Sequence, residues 1–236
     1  MRTKIVAVIL AMSAGAAMAL PVMNYEVSSD GVSWGKSLNA HAGDTVGVRA
    51  SVVWSDVSAY GLAAVFHKIR ISGATADDST DITLINQSGT PNFGRVAPFA
   101  FGAAQAGTSL IGSTRLYFAQ GSGGTEGYYS SAQRAPVILS GPNTDFSTAN
   151  PALIIQFQYT IGNTTNRQLS FDSLLANQAQ GGSGQEFYFY TSSTSVSSGL
   201  RTTGSVDGAI VNVGVPSPSG LALIGLGGLA VTRRRR

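Results

Sequence analysis

Residues 45–54 read TVGVRASVVW. Val46, Val48, Ala50 and Val52 take every second position, with Arg49 and Ser51 between them. Successive side chains on a strand point to opposite faces, so this alternation describes a strand with one face on a core and one in water. The β-branched valines suit a pleated surface. The next run, YGLAAVFHKIRI at 60–71, sets Val65, His67, Ile69 and Ile71 opposite Phe66, Lys68 and Arg70. ALIIQFQYTI at 152–161 sets Leu153, Ile155, Phe157 and Tyr159 opposite Ile154, Gln156 and Gln158. Shorter candidate strands lie at 81–86, 95–101, 114–119, 136–139, 167–171, 186–191 and 209–213. Asp30-Gly31, between 25–28 and 32–36, predicts a hairpin turn. FDSLLANQA at 171–179 predicts two helical turns, and the Gly-rich runs at 121–131 and 181–184 predict surface loops. Ten or more strands at this spacing predict an all-β fold, a single β-sandwich or jelly-roll-like domain over residues 20–214.

The composition agrees. Of 236 residues only 11% are charged, and 29 are glycine. The 43% apolar fraction is enough for a core. The net charge of +3 comes from the ends. Setting aside Arg2, Lys4 and Arg233, Arg234, Arg235 and Arg236 leaves nine of fifteen basic residues against twelve acidic ones, a middle near −3. A nucleic-acid partner is therefore not expected. There is no cysteine, which excludes disulfides, thiolate metal sites and thiol catalysis.

The N-terminus carries Arg2 and Lys4, an apolar run over 5–12, and Ala17-Met18-Ala19. A positive start, an apolar stretch and a small-x-small site make a signal peptide over 1–19, cut by signal peptidase between Ala19 and Leu20. The C-terminus is VPSPSGLALIGLGGLAVTRRRR, residues 215–236. Its uncharged run at 221–231 would span only about 17 Å as a helix, against a hydrocarbon core of about 30 Å. Four terminal arginines favour the cytoplasmic side. The alternative is an ordinary single-span anchor.

This tail resembles the PEP-CTERM sorting signal of Gram-negative bacteria: a proline motif (Val215, Pro216, Ser217, Pro218), an apolar segment, then Arg233, Arg234, Arg235 and Arg236. The usual motif has Glu where this chain has Ser217. The resemblance covers the last 22 residues and implies export, an exosortase-type membrane protease as partner, and delivery to the cell surface or matrix. Separately, residues 41–69 resemble cohesin-like surface β-sandwiches, through Gly43-Asp44-Thr45-Val46 before one strand and Tyr60-Gly61 before the next. That likeness implies the fold only.

Chemistry is sparse between the two ends. His67 falls on an apolar strand face, as a core or cleft histidine, and His41 precedes a turn. Neither a Gly-x-Ser-x-Gly elbow nor a His-Glu-x-x-His motif occurs. A glycosidase needs two facing carboxylates. The glutamates are Glu26, Glu126 and Glu186, and a distant pair such as Glu126 and Asp172 is the sort that would serve. Asp77, Asp78 and Asp81 form the densest acidic cluster, read either as a solvated turn or as candidate calcium ligands on a loop. No other cofactor is expected. Tyr128-Tyr129, the 187–190 run FYFY, Trp34 and Trp54 are the aromatics a sugar-binding face would draw on. At least half of FYFY should be core, because alternate residues face opposite ways.

These readings lead to an exported cell-surface or extracellular-matrix protein, non-enzymatic, with a structural or adhesive role. The runner-up is a surface-anchored module binding extracellular polysaccharide, and the third reading is a secreted hydrolase. An exposed aromatic row would favour the second, and paired carboxylates in a cleft the third.

Overall fold

The structure, a computed structural model, describes residues 20–82, 86–87, 90–91, 94, 96, 98–99, 105–120, 128–131, 146–175, 186–193 and 199–214. These residues form strands and no helix. In chain order the strands are β1 (Val22–Ser28), β2 (Ser37–Ala40), β3 (Thr45–Val53), β4 (Gly61–Ser72), β5 (Ser79–Thr80), β6 (Asn86–Gln87), β7 (Thr90–Pro91) and β8 (Gln105–Ile111). They continue with β9 (Thr114–Gln120), β10 (Tyr128–Ser131), β11 (Ala152–Thr160), β12 (Arg167–Leu175), β13 (Phe187–Tyr190), β14 (Leu200–Thr202), β15 (Ser205–Asp207) and β16 (Ala209–Val213).

Two sheets face each other as a sandwich. One is five-stranded, in the order β15-β1-β3-β11-β5. The other follows β14-β13-β4-β12-β16-β2, with β9 and β10 also pairing β4, and β8 pairing β9. β6 and β7 make a separate ribbon. Register sorts the side chains of the first sheet. Tyr25, Ala50 and Ile155 stand opposite one another across β1, β3 and β11 and are all buried. The adjacent row, Glu26, Arg49 and Gln156, lies on the outer face.

The alternation read in TVGVRASVVW holds: Val46, Val48, Ala50 and Val52 are all buried. In β4, Val65, His67, Ile69 and Ile71 are buried and Phe66, Lys68 and Arg70 are not. From the second sheet Phe171 meets Tyr159 edge-on, with ring centroids 5.3 Å apart at 83°. Trp54 and Phe189 close the opposite end at 5.3 Å. Edge-on and tilted rings are the favoured aromatic contacts in a core.

Several expectations are corrected. The predicted hairpin is a turn without a second paired strand. Gly31 has φ +72° and Val27 and Gly35 form a single bridge, but β2 then joins the other sheet beside β16. Residues 171–175 are strand, not helix. β4 pairs with β12 through this region, from Ser170 to Leu175, and those hydrogen bonds override local helix preference. Leu153 is not on the core face. A bulge between Leu153 and Ile155 turns Leu153 outward and buries both Ile154 and Ile155. Tyr128–Ser131, expected in a loop, is a strand paired with β4. Asp81 and Ile82 lie beyond the end of β5, and Val96, Pro98 and Phe99 are outside any strand. The predicted segments 136–139 and 181–184, the signal peptide and the tail lie outside the described residues.

Candidate functional site

A groove of about 670 Å³ crosses the outer face of the five-stranded sheet. Its floor is β3 and β11, at Gly47, Gln156 and Gln158. One wall is the loop after β1, carrying Asp30 and Trp34, and the other carries Asp81, Gly94 and Val96.

Each wall is held by backbone chemistry. Asp30 Oδ1 accepts from Ser33 N (2.7 Å), Val32 N (2.8 Å) and the Ser28 hydroxyl (2.8 Å). The backbone N–H groups of Ser33 and Val32, helped by Ser28, hold the Asp30 carboxyl well below its usual range. The loop so fixed lays the Trp34 ring against the sheet at Gly47. A Cβ on Gly47 would sit 3.1 Å from Trp34 Cη2, so the missing side chain admits the indole. The Arg49 guanidinium lies 4.4 Å from the Trp34 ring centre and donates to Glu26 Oε2 at 2.8 Å. The far wall clips onto the edge of β11. Gln156 N donates to Gly94 O (2.7 Å), Val96 N to Ile154 O (3.0 Å), and Gln158 N to Asp81 Oδ1 (2.6 Å).

The floor offers free hydrogen-bonding groups. Gln156 and Gln158 are exposed, and their side-chain amides make no hydrogen bond among the described residues. Among the described residues, the charged side chains lining the groove, Asp30 and Asp81, are both acidic. Hydrolysis of a glycosidic bond needs a carboxyl that holds a proton near neutral pH. Asp30 is biased the other way. Glu186, whose pKa burial raises, is on the other sheet beside β13 and does not line the groove. The described lining offers amides, carboxylates and an indole to a polar ligand.

The acidic cluster divides among separate tasks. Asp78 is buried, with both oxygens occupied. Oδ2 accepts from Thr75 N (2.8 Å) and the Tyr159 hydroxyl (2.9 Å), and Oδ1 from Gly162 N (2.8 Å) and Arg167 Nη2 (2.6 Å). Burial alone would raise its pKa; the donors from Gly162, Thr75, Tyr159 and Arg167 outweigh that and hold it below the usual value. Asp77 Oδ2 accepts from Asn163 at 3.1 Å, and Asp81 faces the groove. Among the described residues no three His, Asp or Glu side chains are grouped to hold a metal.

The other candidates are placed as follows. His67 is fully buried, its Nδ1 3.1 Å from Ser173 Oγ, which is 2.6 Å from the Tyr25 hydroxyl. This short polar chain links the two sheets through the core. His41 is exposed near Asp44. Asp172 is held by Arg70 Nε and Nη2 at 2.6 and 2.8 Å, and Glu126 lies outside the described residues. Three of the four residues in FYFY are buried: Phe187 and Phe189 in the core, and Tyr190 against Phe146, with ring centroids 5.1 Å apart. Tyr188 stays half-buried on the outer face, 5.5 Å from Phe66 and under Arg201 at 4.9 Å. The exposed row of rings that would mark a flat sugar platform is not formed by Trp34 and Trp54, because Trp54 is buried in the core.

Sequence reasoning missed the groove. Its one legible sign was Gly47, which leaves the outward face of an alternating strand without a side chain. The amides of Gln156 and Gln158 were visible as the polar face of 152–161, but nothing in sequence tied them to Trp34, over a hundred positions away.

No family model matches this sequence, and no curated protein matches it. Several solved structures share its general form. The sixth cohesin of scaffoldin B from Acetivibrio cellulolyticus, solved with a dockerin, has TM-score 0.42 and 10% identity over 83% of this chain and 99% of its own. A cohesin solved with a dockerin from Clostridium thermocellum gives 0.41 and 7%, over 82% and 99%. The cohesin module of a family 33 glycoside hydrolase from Clostridium perfringens gives 0.36 and 4%, over 81% and 96%. The class, an all-β sandwich, is defined by the strand pairing; nothing about partners follows from likenesses this distant.

Proposed function

We propose that this chain is an exported, non-enzymatic adhesive module, displayed at the cell surface or in the extracellular matrix and acting through the groove on its five-stranded sheet. The observation that carries this reading is the groove itself: exposed, unengaged amides on a rigid sheet floor, between walls fixed by backbone hydrogen bonds. A ligand that meets preset groups loses less freedom on binding. The tail supports the location. Four arginines at about 2.5–3.5 kcal/mol each resist transfer into hydrocarbon. They hold the C-terminus inside while the domain emerges outside, and the proline motif at 215–218 offers extended backbone to an exosortase-type protease.

The test uses cells making the intact chain or its Gly47→Val variant. Attachment of cells to matrix material should fall with the variant while protease accessibility of the protein on intact cells stays the same. Unchanged attachment would overturn the adhesive reading. Surface protein that retains Arg236 would overturn processing of the tail.

A further inference from the structure

We infer that the groove takes an uncharged polysaccharide, with Trp34 as its apolar wall and Gln156 and Gln158 as its hydroxyl readers. The inference rests on the adhesive reading above and names its ligand. Three features of the lining select this class. First, Gln156 and Gln158 are separated by one residue on β11, both exposed on the same face, with amides that make no hydrogen bond among the described residues. An amide both donates and accepts, which matches a sugar hydroxyl that does the same. Second, the Trp34 indole lines the groove beside these amides, its ring positioned by Gly47 and Arg49. A sugar ring has C–H faces as well as hydroxyl edges, and an apolar wall next to polar readers meets both.

Third, the charge decides among glycans. Among the described residues, the charged side chains that line the groove are Asp30 and Asp81. The Arg49 guanidinium, over the Trp34 ring, is committed to Glu26 and to that ring. Asp30 Oδ1 and Asp81 Oδ1 each accept backbone N–H bonds that fix the walls, and the Ser28 and Ser33 side chains hold Asp30 further. The two carboxylates present negative charge to the groove and repel a uronate or sulfate. A polyanionic chain would carry like charge into a groove already bearing two carboxylates.

The experiment measures retention of the full chain, in detergent, by affinity electrophoresis in gels holding a soluble neutral glucan, a neutral mannan or a polyuronate. Retention by a neutral glycan and none by the polyuronate is expected. Trp34→Ala and Gln158→Ala should each weaken the neutral interaction by roughly three- to tenfold, the range one lost contact of about 1 kcal/mol gives. Gln158 is exposed, so that variant tests the site without threatening the fold. Retention by the polyuronate that equals or exceeds the neutral gels overturns the inference. So does neutral retention that neither variant changes, or no retention by either neutral glycan. If Gly47→Val abolishes cell attachment while neutral glycans fail to bind, the adhesive reading stands and the ligand class assigned here is wrong.

Discussion

Asp78 and Asp81 stand three residues apart in ATADDSTDITL, and the fold gives them opposite surroundings. Asp78 is sealed inside with four donors on its two oxygens. Asp81 spends one oxygen on the Gln158 backbone and stands at the wall of an open groove. The first region is saturated: Thr75, Tyr159, Gly162 and Arg167 converge on one carboxylate, and Arg115 adds bonds to the carbonyls of Thr75 and Asp78 at 2.8 and 3.0 Å. The second leaves its floor amides unspent. Local acidic density therefore says little about ligand binding. What matters is how many protein donors the fold has already aimed at each oxygen.

The largest expected effect is at the saturated end. Asp78→Ala leaves the Arg167 guanidinium buried without its carboxylate, and removing one partner of a buried pair costs about 3–5 kcal/mol. Urea unfolding should show that loss at neutral pH. A loss below about 1 kcal/mol would make the pair no stronger than a surface one. The pH dependence follows from the direction of the shift. Asp78 has a lower pKa folded than unfolded, so its stabilisation is complete above the ordinary carboxylate value near 4. It drains as pH falls from there toward the folded value. The unfolding midpoint should fall in that acid window, and less steeply in Asp78→Asn. Glu186 has the opposite sign. Burial raises its pKa, so its contribution is present at acid pH and lost as pH rises above about 4.3 through the folded value. Glu186→Gln should flatten that decline.

Next in size is Ser173→Ala. It strips the hydroxyl that joins Tyr25 to His67 and leaves the buried Tyr25 O–H without that partner, at a cost of about 1–3 kcal/mol. Hydrogen exchange should then speed in β1 and β12 before β9; uniform change across the sheets would show that the chain does not couple them.

The groove end should be cheap in stability and dear in binding. Gly47→Val crowds Trp34 at a cost of about 1–2 kcal/mol, partly offset by valine's preference for strands. Attachment should fall far more than that figure implies. Smallest of all, Gln158→Ala should change stability by no more than about 0.5 kcal/mol. A larger change would mean the amide belongs to the fold, and the contrast between the two regions would narrow.

How much of this was legible depends on the range of the interaction. Strands β3, β4 and β16 were readable because one buried face and period-two alternation are local facts. β12 was misread at its C-terminal half because an inward position is Ser173, whose hydroxyl answers Tyr25 from the other sheet. A polar residue there hides the alternation unless its distant partner is known. The Leu153 error has the same root: a bulge is fixed by the facing strand, not by the bulged one. Asp78 was found as an acid but not as a hub, since its donors come from residues 75, 159, 162 and 167. The groove needed residues from the β1–β2 loop and β11 to meet, and only the three-dimensional pairing through β3 brings them together.

The last strand carries one more consequence. β16 ends at Val213, one residue before the proline motif, and lies inside its sheet between β12 and β2, antiparallel to one and parallel to the other. Suppose the chain is moored by its C-terminus while something pulls on the groove. Tension then enters along the axis of β16, and the two ladders beside it must slide together instead of opening one rung at a time. Rupture under such pull is governed by the rate of forced unfolding, not by equilibrium stability. A terminus on an edge strand would peel; β16 is gripped on both sides.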